Sequence, residues 1–401
     1  MVVEIGIVGK PNCGKSTLFN SLTLANVPTA NYPFTTIDAN VGVAYVRVRC
    51  VCREFNVKDN PVNSLCINGN RFIPIRIIDT AGLVPDAWKG RGLGNQFLSK
   101  ISMAELLIHV VDASGSTDIE GRPIPPGSHD PIEDVRFLER EILYWIYGIL
   151  DKHWNDIIKS VKLRRVDPSE ALYSKLSGLK FKLATIKNCL ELVSEASTAD
   201  ISRWNKDAIL NFIKCITSID KPIVIAANKI DIDIAYDNIK RMKEHKINVI
   251  PISALSEYIL RKLASEKIID YLPGDDDFKV LDESKLDDRY RKAIRIIRDK
   301  VFNRYGGTGV QKLINYCVLD VLRYIVVYPV KDPNKLTNGE GRVLPDAFLV
   351  KRGTTLREFA YLIHEDLGKH LLYGIDVRRK IRLKADYILE DNDVISVVST
   401  V

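Results

Sequence analysis

Gly9-Lys10-Pro11-Asn12-Cys13-Gly14-Lys15-Ser16, followed by Thr17, is the stretch whose reading decides the fold. It begins where an apolar run, Val2 to Val8, ends, and it opens a helical segment at Thr17 to Ser21. GxxxxGK[ST] between a strand and a helix is the spacing of a phosphate-binding loop. Its glycines let backbone N–H groups curl around phosphate oxygens, and the helix N-terminus adds the positive end of its dipole. Lys15 is placed to reach the β- and γ-phosphates and the Ser16 hydroxyl to ligate Mg²⁺, with Asn12, Cys13, Gly14 and Thr17 completing the cradle. An incidental glycine-rich turn would not sit between a strand and a helix.

Outward from the loop, three further signals fall in the order that guanine-nucleotide recognition needs. Asp79-Thr80-Ala81-Gly82 ends an apolar run from Phe72 to Ile78, putting a carboxylate near the metal and a glycine N–H near the γ-phosphate. Asn228-Lys229-Ile230-Asp231 ends the run Pro222 to Ala227. Asp231 is expected to accept the N1–H and the exocyclic amino group of guanine, a pair that adenine lacks. The Asn228 amide is expected at N7, and the Lys229 stem across the base. Ser253-Ala254-Leu255 follows a last strand near Val249 to Ile252 and offers the Ala254 N–H to O6. Between the first two motifs lies Asn31-Tyr32-Pro33-Phe34-Thr35-Thr36, where Thr36, in preference to Thr35, can bind Mg²⁺ by its side chain and the γ-phosphate by its N–H. Lys15, Thr36 and Gly82 are therefore the expected catalytic groups; Ser16, Thr36 and Asp79 the expected Mg²⁺ ligands. Leu83 stands where many such sites carry a water-orienting glutamine. Leucine cannot polarise water, so hydrolysis must be slow alone or helped from elsewhere.

The whole chain has 401 residues, 46% hydrophobic and 27% charged, with net charge +7. Its length suits two to three domains. The mild basic excess permits an RNA or ribosome partner without requiring one. Nothing suggests sequence-specific DNA binding. No signal sequence opens the chain, no run approaches the roughly 20 apolar residues of a membrane span, and seven cysteines do not look like a secreted disulfide framework. A cytoplasmic protein is expected.

Strands at 2–8, 40–48, 72–78, 106–112, 222–227 and 249–252 alternate with helices as in a Rossmann-like α/β domain. The spacing is broken between 112 and 222. There Leu172, Leu176, Leu179, Leu183, Ile186, Leu190 and Val193 form an a/d seam, and Val135, Leu138, Ile142, Trp145 and Ile149 follow the same rhythm. Two helices joined by the basic stretch Lys159, Lys162, Arg164 and Arg165 read as a helical hairpin, a coiled-coil insertion; the alternative is two amphipathic helices lying on the domain. Past Gly306 and Gly307 an apolar helix near 308–323 leads to short strands at 325–329, 346–350, 381–383 and 394–398 around one helix, 355–367. This is the pattern of a small α+β domain. Expected boundaries are 1–130 with 200–305 for the nucleotide domain, 131–199 for the insertion, 306–323 for a connecting helix and 324–401 for the last domain.

These residues resemble a known family. The GKPNCGKST loop, NYPFTT and DTAGL are similar to the Obg-related GTPases of the TRAFAC class. WKGRGLGNQFL (Trp88 to Leu98), the helical insertion, LPDAFLVKRGTT and the stretch Gly368 to Ile395 resemble its YchF, or Obg-like, branch of archaeal type. The resemblance implies a C-terminal TGS domain of β-grasp fold, associated with ribosome and RNA contacts. It also implies a GTP-dependent switch. ATP-preferring members of the branch carry a modified fourth motif, usually ending in Glu; here Asn228, Lys229 and Asp231 are intact, which favours GTP. Some TRAFAC GTPases with the same PNxGKS sequence use the asparagine to hold K⁺, so the resemblance makes Asn12 a candidate K⁺ ligand; otherwise it bonds backbone and stabilises the loop.

The reading is thus a Mg²⁺-dependent GTP hydrolase acting on ribosomes or translation. An ATPase with relaxed base choice, or a ribosome- or RNA-binding protein with a structural nucleotide, are its rivals. Arg378, Arg379, Lys380, Arg382 and Lys384 are the densest basic cluster, either a solvated face or an rRNA footprint; Lys380, Arg382 and Lys384 alternate along one strand face. Cys50, Cys52 and Cys66 could supply three zinc ligands, but no fourth Cys or His lies near, and small buried thiols are the default. Cys13 lies in the positive field of the loop, which could lower its pKa, or is a small tolerated residue. His109 is expected as a core histidine.

Overall fold

The computed structural model describes residues 2–24, 40–80, 82–83, 102–196 and 200–400. Thr35, Thr36, Ala81 and the Trp88 to Leu98 stretch lie outside them. The strands are β1 (Glu4–Val8), β2 (Val41–Arg49), β3 (Leu65–Ile67), β4 (Asn70–Asp79), β5 (Leu106–Asp112), β6 (Ile223–Asn228), β7 (Val249–Pro251), β8 (Ile269–Asp270), β9 (Lys279–Val280), β10 (Tyr324–Val330), β11 (Phe348–Lys351), β12 (Leu371–Asp376), β13 (Ile381–Leu383) and β14 (Asp393–Ser399). The chain packs as two compact units: Glu4–Ser21 with Ile77–Val310, and Met1–Val3 with Leu22–Arg76 and Gln311–Val401.

In the first unit β1, β5, β6 and β7 pair in parallel in that order. β1 and β5 are buried from end to end, which is why their sequences are near-continuous apolar runs. Within β5, His109 and the terminal Asp112 are the buried polar exceptions. Burial, helped by the charges of Lys15 and Lys10, pushes the pKa of His109 down to about 3. It is therefore a neutral core residue, as expected.

The insertion starts with a long helix, Pro131–Arg164, capped by the Asp130 carboxylate accepting from Ile132 N, with Pro131 at the first helical position. The chain returns through Pro168–Leu176. The seam read as one run is split here: a tight turn at Ser177–Leu179 and left-handed Lys180 separate Pro168–Leu176 from Leu183–Ala196. The cause is tertiary. Asp220, at the end of helix Lys206–Asp220, accepts from Lys182 N (2.8 Å) and Thr185 Oγ1 (3.0 Å), and so caps a new helix. Gly178 in the turn is a poor helix former that lowers the cost of the break.

The seam residues still share one core. Leu172, Leu176, Ile186 and Leu190 pack with Leu138, Ile142, Phe212 and Ile213, and the cluster runs on into Val8, Ala104 and Leu107 of the sheet. Each large side chain buried there is worth about 1.5–3 kcal/mol. Lys180 pairs with Glu4 (3.0 Å) and donates to Met103 O (2.9 Å), which anchors the insertion along its base. Cys189 and Cys215, on facing helices with Cα atoms 5.8 Å apart, form a disulfide that cysteine counting did not foresee.

In the second unit β2 neighbours β4, and β3 and β4 form an antiparallel hairpin. A five-stranded sheet has the order β11-β10-β14-β12-β13, with β10 and β14 parallel. Helix Leu356–Ile363, opened by a Thr355/Glu358 capping box, buries Leu356 and Phe359 against Ile325, Val327, Leu371 and Ile395. β12 is a strand the sequence reading passed over, since Gly374 interrupts it. A Cβ there would lie 2.7 Å from Leu356 Cδ2, so the glycine admits the helix.

The basic row is shorter than expected. Lys380 is a left-handed turn residue (φ 54°), outside the three-residue β13. Arg378 grips Glu54 through two bonds (2.6 and 2.8 Å), and Arg379 pairs with Asp376 (2.5 Å). Arg382 lies over the Tyr373 ring (4.5 Å). Lys380, Arg382 and Lys384 remain exposed.

Candidate nucleotide site

The site sits at the carboxyl ends of β1, β4, β6 and β7, where an open α/β sheet places its ligands. The loop Gly9–Ser16 turns from β1 into helix Lys15–Thr23 with Gly9 at φ 148°, Asn12 at 59° and Gly14 at 104°. Gly14 admits nothing larger, because its Cβ would lie 2.1 Å from Asn228 Nδ2. Lys15 Nζ donates to Lys10 O (2.7 Å), spanning the concave side of the loop. Ser16 Oγ, exposed at the first turn, lies 3.3 Å from Asp79 Oδ2. Thr17 follows half-buried. Cys13 is fully buried, donates to Lys10 O (3.1 Å), and burial raises its pKa despite Lys15 nearby. That removes a field-activated thiol and leaves the small loop residue.

Thr80 Oγ1 donates to Ile7 O (2.7 Å) and Leu83 N to Gly9 O (3.0 Å), so the segment around Gly82 lies along the phosphate loop. A Cβ on Gly82 would meet Pro11 Cγ at 2.9 Å. Leu83 turns into the apolar core with Val8 and Leu107, away from the loop.

The base-recognition motifs interlock. Asn228, 3% exposed, donates to Cys13 O (2.9 Å) and accepts from Ala254 N (3.1 Å). It ties the phosphate loop to the Ser253-Ala254 turn, a bracing role the sequence reading missed; the Ala254 N–H assigned to O6 is engaged with Asn228. Ser253, buried, caps helix Ala254–Ser265 and donates to Asp231 Oδ1 (2.8 Å). Leu255 is 53% exposed beside them, leaving its backbone the relevant part. Lys229 takes the left-handed conformation (φ 69°), and its ammonium meets Asp112 Oδ2 at 2.8 Å and Ser116 Oγ at 3.1 Å.

Sequence reading gave no role to the segment after β5, yet it forms the floor of the site. Asp112 is buried and accepts from Ser114, Ser116, Thr117 and Lys229. Burial alone would raise its pKa, but the bonds from Lys229, Ser114 and Thr117 outweigh it and hold the carboxyl low. Lys10 donates to Thr117 O (2.8 Å) and pairs with buried Asp134 (2.8 Å). Asn12 Nδ2 donates to Gly121 O (2.9 Å), the backbone-bonding arrangement expected as its alternative role. The available signal was Asp112-Ala113-Ser114-Gly115-Ser116-Thr117, an acid followed by short hydroxyl residues at a strand end, which favours local side-chain-to-backbone bonding.

The chain is similar to known proteins over nearly all of its length. Residues 4–136 match the model of the 50S ribosome-binding GTPase family, 226–332 that of the Obg-like GTPase YGR210-like, G4 motif-containing domain, and 340–399 that of the TGS domain. A GTP-binding protein of Methanocaldococcus jannaschii is 46% identical over 98% of both chains. The chain belongs to the YchF/Obg-like family of P-loop GTPases. The solved GTP-binding protein of Pyrococcus horikoshii superposes with TM-score 0.78 at 39% identity, covering 99% of this chain and 100% of that one. The ribosome-binding ATPase YchF of Bacillus subtilis is 27% identical over 98% of both chains. The small α+β unit around β10–β14 is accordingly a TGS domain in a P-loop GTPase. Among the described residues no helix is long and apolar enough to cross a membrane.

Proposed function

We propose that this protein binds and hydrolyses GTP in preference to ATP, slowly on its own, as a Mg²⁺-dependent switch acting on ribosomes in the cytoplasm. The observation that carries the base choice is the carboxylate of Asp231, held by Ser253 in a turn that Asn228 locks to the phosphate loop. A fixed carboxylate gains two bonds from guanine and faces no matching donors on adenine, and such polar sites discriminate strongly. Ser16 and Asp79 present facing oxygens 3.3 Å apart, a hard-oxygen pair that fits Mg²⁺. Those two and Thr36 would hold the ion, which when bound offsets charge on the phosphates. Lys15 swings from Lys10 O to the β- and γ-phosphates, and the Gly82 N–H meets the γ-phosphate. Cys13, Gly14 and Thr17 supply cradle N–H groups; Leu255 closes the base pocket by its backbone.

With Leu83 in the core, the missing charge or water-orienting group has to come from elsewhere. Asn12 uses its nitrogen on Gly121, which leaves its oxygen as the atom a K⁺ would use. Functionally the chain divides into a nucleotide domain (1–130 and 200–305), the helical insertion (131–199), a connecting helix (306–323) and the TGS domain (324–401). The ribosome contacts run through Lys162 and Arg164 of the insertion and Lys380, Arg382 and Lys384, with no sequence-specific DNA binding. ATP hydrolysis is the second reading, favoured by the name of the Bacillus subtilis relative. Nucleotide turnover measured with GTP and ATP, in K⁺ and in Na⁺, with and without ribosomes, tests all of this. Equal affinity for the two nucleotides in calorimetry would overturn the base choice, and equal rates in the two salts the K⁺ role.

A further inference from the structure

Cys50, Cys52, Asp59 and Cys66 converge in the second unit, with one ligating atom of each within 4.8 Å of all the others. They arrive from three directions: Cys50 and Cys52 flank Val51 at the tight turn after β2, Cys66 is in β3, and Asp59 lies on the loop between. From these positions we infer a structural zinc site, ligated by three thiolates and one carboxylate, that nothing in the nucleotide chemistry calls for.

The distances are those of tetrahedral coordination. Zn–S bonds of about 2.3 Å at a tetrahedral angle put two sulfurs about 3.8 Å apart, and Cys52 Sγ and Cys66 Sγ are 3.7 Å apart. With Zn–O about 2.0 Å the sulfur–oxygen edge is about 3.5 Å, and Cys50 Sγ and Asp59 Oδ2 are 3.3 Å apart. A disulfide would need the two sulfurs at about 2.05 Å; all three thiols here are free. Three soft thiolates with one carboxylate suit zinc over a hard cation.

The surroundings fit the charge. Three thiolates, one carboxylate and Zn²⁺ sum to −2, and Arg71, fully buried, pairs with Asp59 Oδ2 at 3.2 Å to bring the group to −1. The same guanidinium donates to Ser64 Oγ (3.1 Å) and Leu344 O (2.7 Å), which fixes the carboxylate from behind. The loop carrying Asp59 is zipped onto the chain before β11: Asn60 N donates to Val343 O (2.8 Å) and Val62 N to Pro345 O (2.7 Å). Cys50 and Cys52 share a core with Tyr328, Leu344 and Val394. The metal would therefore pin the segment Cys50–Cys66 in the fold that packs against Tyr328, Leu344 and Val394.

The full chain, purified without chelator, is expected to carry one zinc per molecule by elemental analysis. After stripping, a Co²⁺ titration should give thiolate-to-cobalt charge transfer and the visible bands of a tetrahedral site, saturating at one equivalent. Cys52→Ser and Cys66→Ser should lose the metal, while Cys317→Ser, distant in sequence and outside the cluster, retains it. The wild-type titration stands even if the first two variants fail to fold. Well under one equivalent of zinc with only the octahedral aquo-cobalt spectrum would overturn the site, as would a Cys52–Cys66 disulfide in the freshly isolated protein.

Discussion

Replacing Asn228 with alanine tests whether the base motif works through the phosphate loop. The side chain is 3% exposed and bridges Cys13 O (2.9 Å) and Ala254 N (3.1 Å). Truncation strands both backbone groups, each costing about 1–3 kcal/mol when left unsatisfied in the interior. Water entering the space of the lost amide recovers part of that, so the net loss should be about 2–4 kcal/mol. Among the described residues the tryptophans, Trp145, Trp154 and Trp204, all fall in the unit that includes Ile77–Val310. Urea unfolding followed by their fluorescence therefore reports the unit that changes. Because the tie ends on the phosphate loop, affinity for GTP and for base-free tripolyphosphate should fall by the same factor. Asn228→Asp keeps the acceptor for Ala254 but sets a carboxylate against Cys13 O, and should do no better at the loop. Unfolding free energy within about 0.5 kcal/mol of wild type, the range of an ordinary surface substitution, would refute the bracing role. So would unchanged tripolyphosphate binding.

Asp231→Asn should abolish the preference for GTP while tripolyphosphate binding stays intact, read by calorimetry with GTP, ATP and tripolyphosphate. Asp134→Ala leaves Lys10 as an unpaired charge, both side chains being almost fully buried, and should cost about 3–5 kcal/mol in urea unfolding. Asp112 has its pKa held below the unfolded value, so its contribution is complete above about pH 4 and is lost as pH falls through the lower, folded pKa. Asp112→Asn should flatten that acid limb in pH-dependent unfolding. Reducing Cys189–Cys215, 26 residues apart, should cost about 3–4 kcal/mol by loop entropy, measured as the unfolding free energy with and without dithiothreitol and absent in the Cys189→Ala/Cys215→Ala pair.

What was legible in the sequence follows from how local each cause is. The strands β1, β5, β6 and β7 were readable because a buried parallel strand is apolar along most of its length. The phosphate loop was readable because its glycines are required by contacts a few atoms away. The break in the Leu172 to Val193 seam was not, because the heptad pattern is satisfied on both sides of it and the cap that causes it comes from Asp220. Helix Lys206–Asp220 went unread with it, although it supplies Phe212 and Ile213 to the shared core. The basic row misled for a related reason. Alternation says which residues share a face only while the strand lasts, and β13 begins only after Lys380, which turns left-handed, and stops at Leu383.

The candidate site divides along the same line. The residues proposed to face a ligand stand in motifs with readable spacing. The residues that hold those residues do not, since Asp112, Thr117, Gly121 and Asp134 act through the polar ends of Lys229, Lys10 and Asn12. The polar groups of the base motif are consequently shared. Asn228 and Lys229 each have a structural partner besides their expected ligand, whereas Asp231 is held through one oxygen by Ser253. Under the proposed function, that asymmetry would leave base choice to Asp231, while Asn228 braces the phosphate loop and Lys229 the segment after β5. The thiol cluster makes the complementary point. Cys and His alone leave the set at three, and Asp59, seven residues from both Cys52 and Cys66 in the sequence, stands out as a candidate fourth ligand only once its neighbours in space are known.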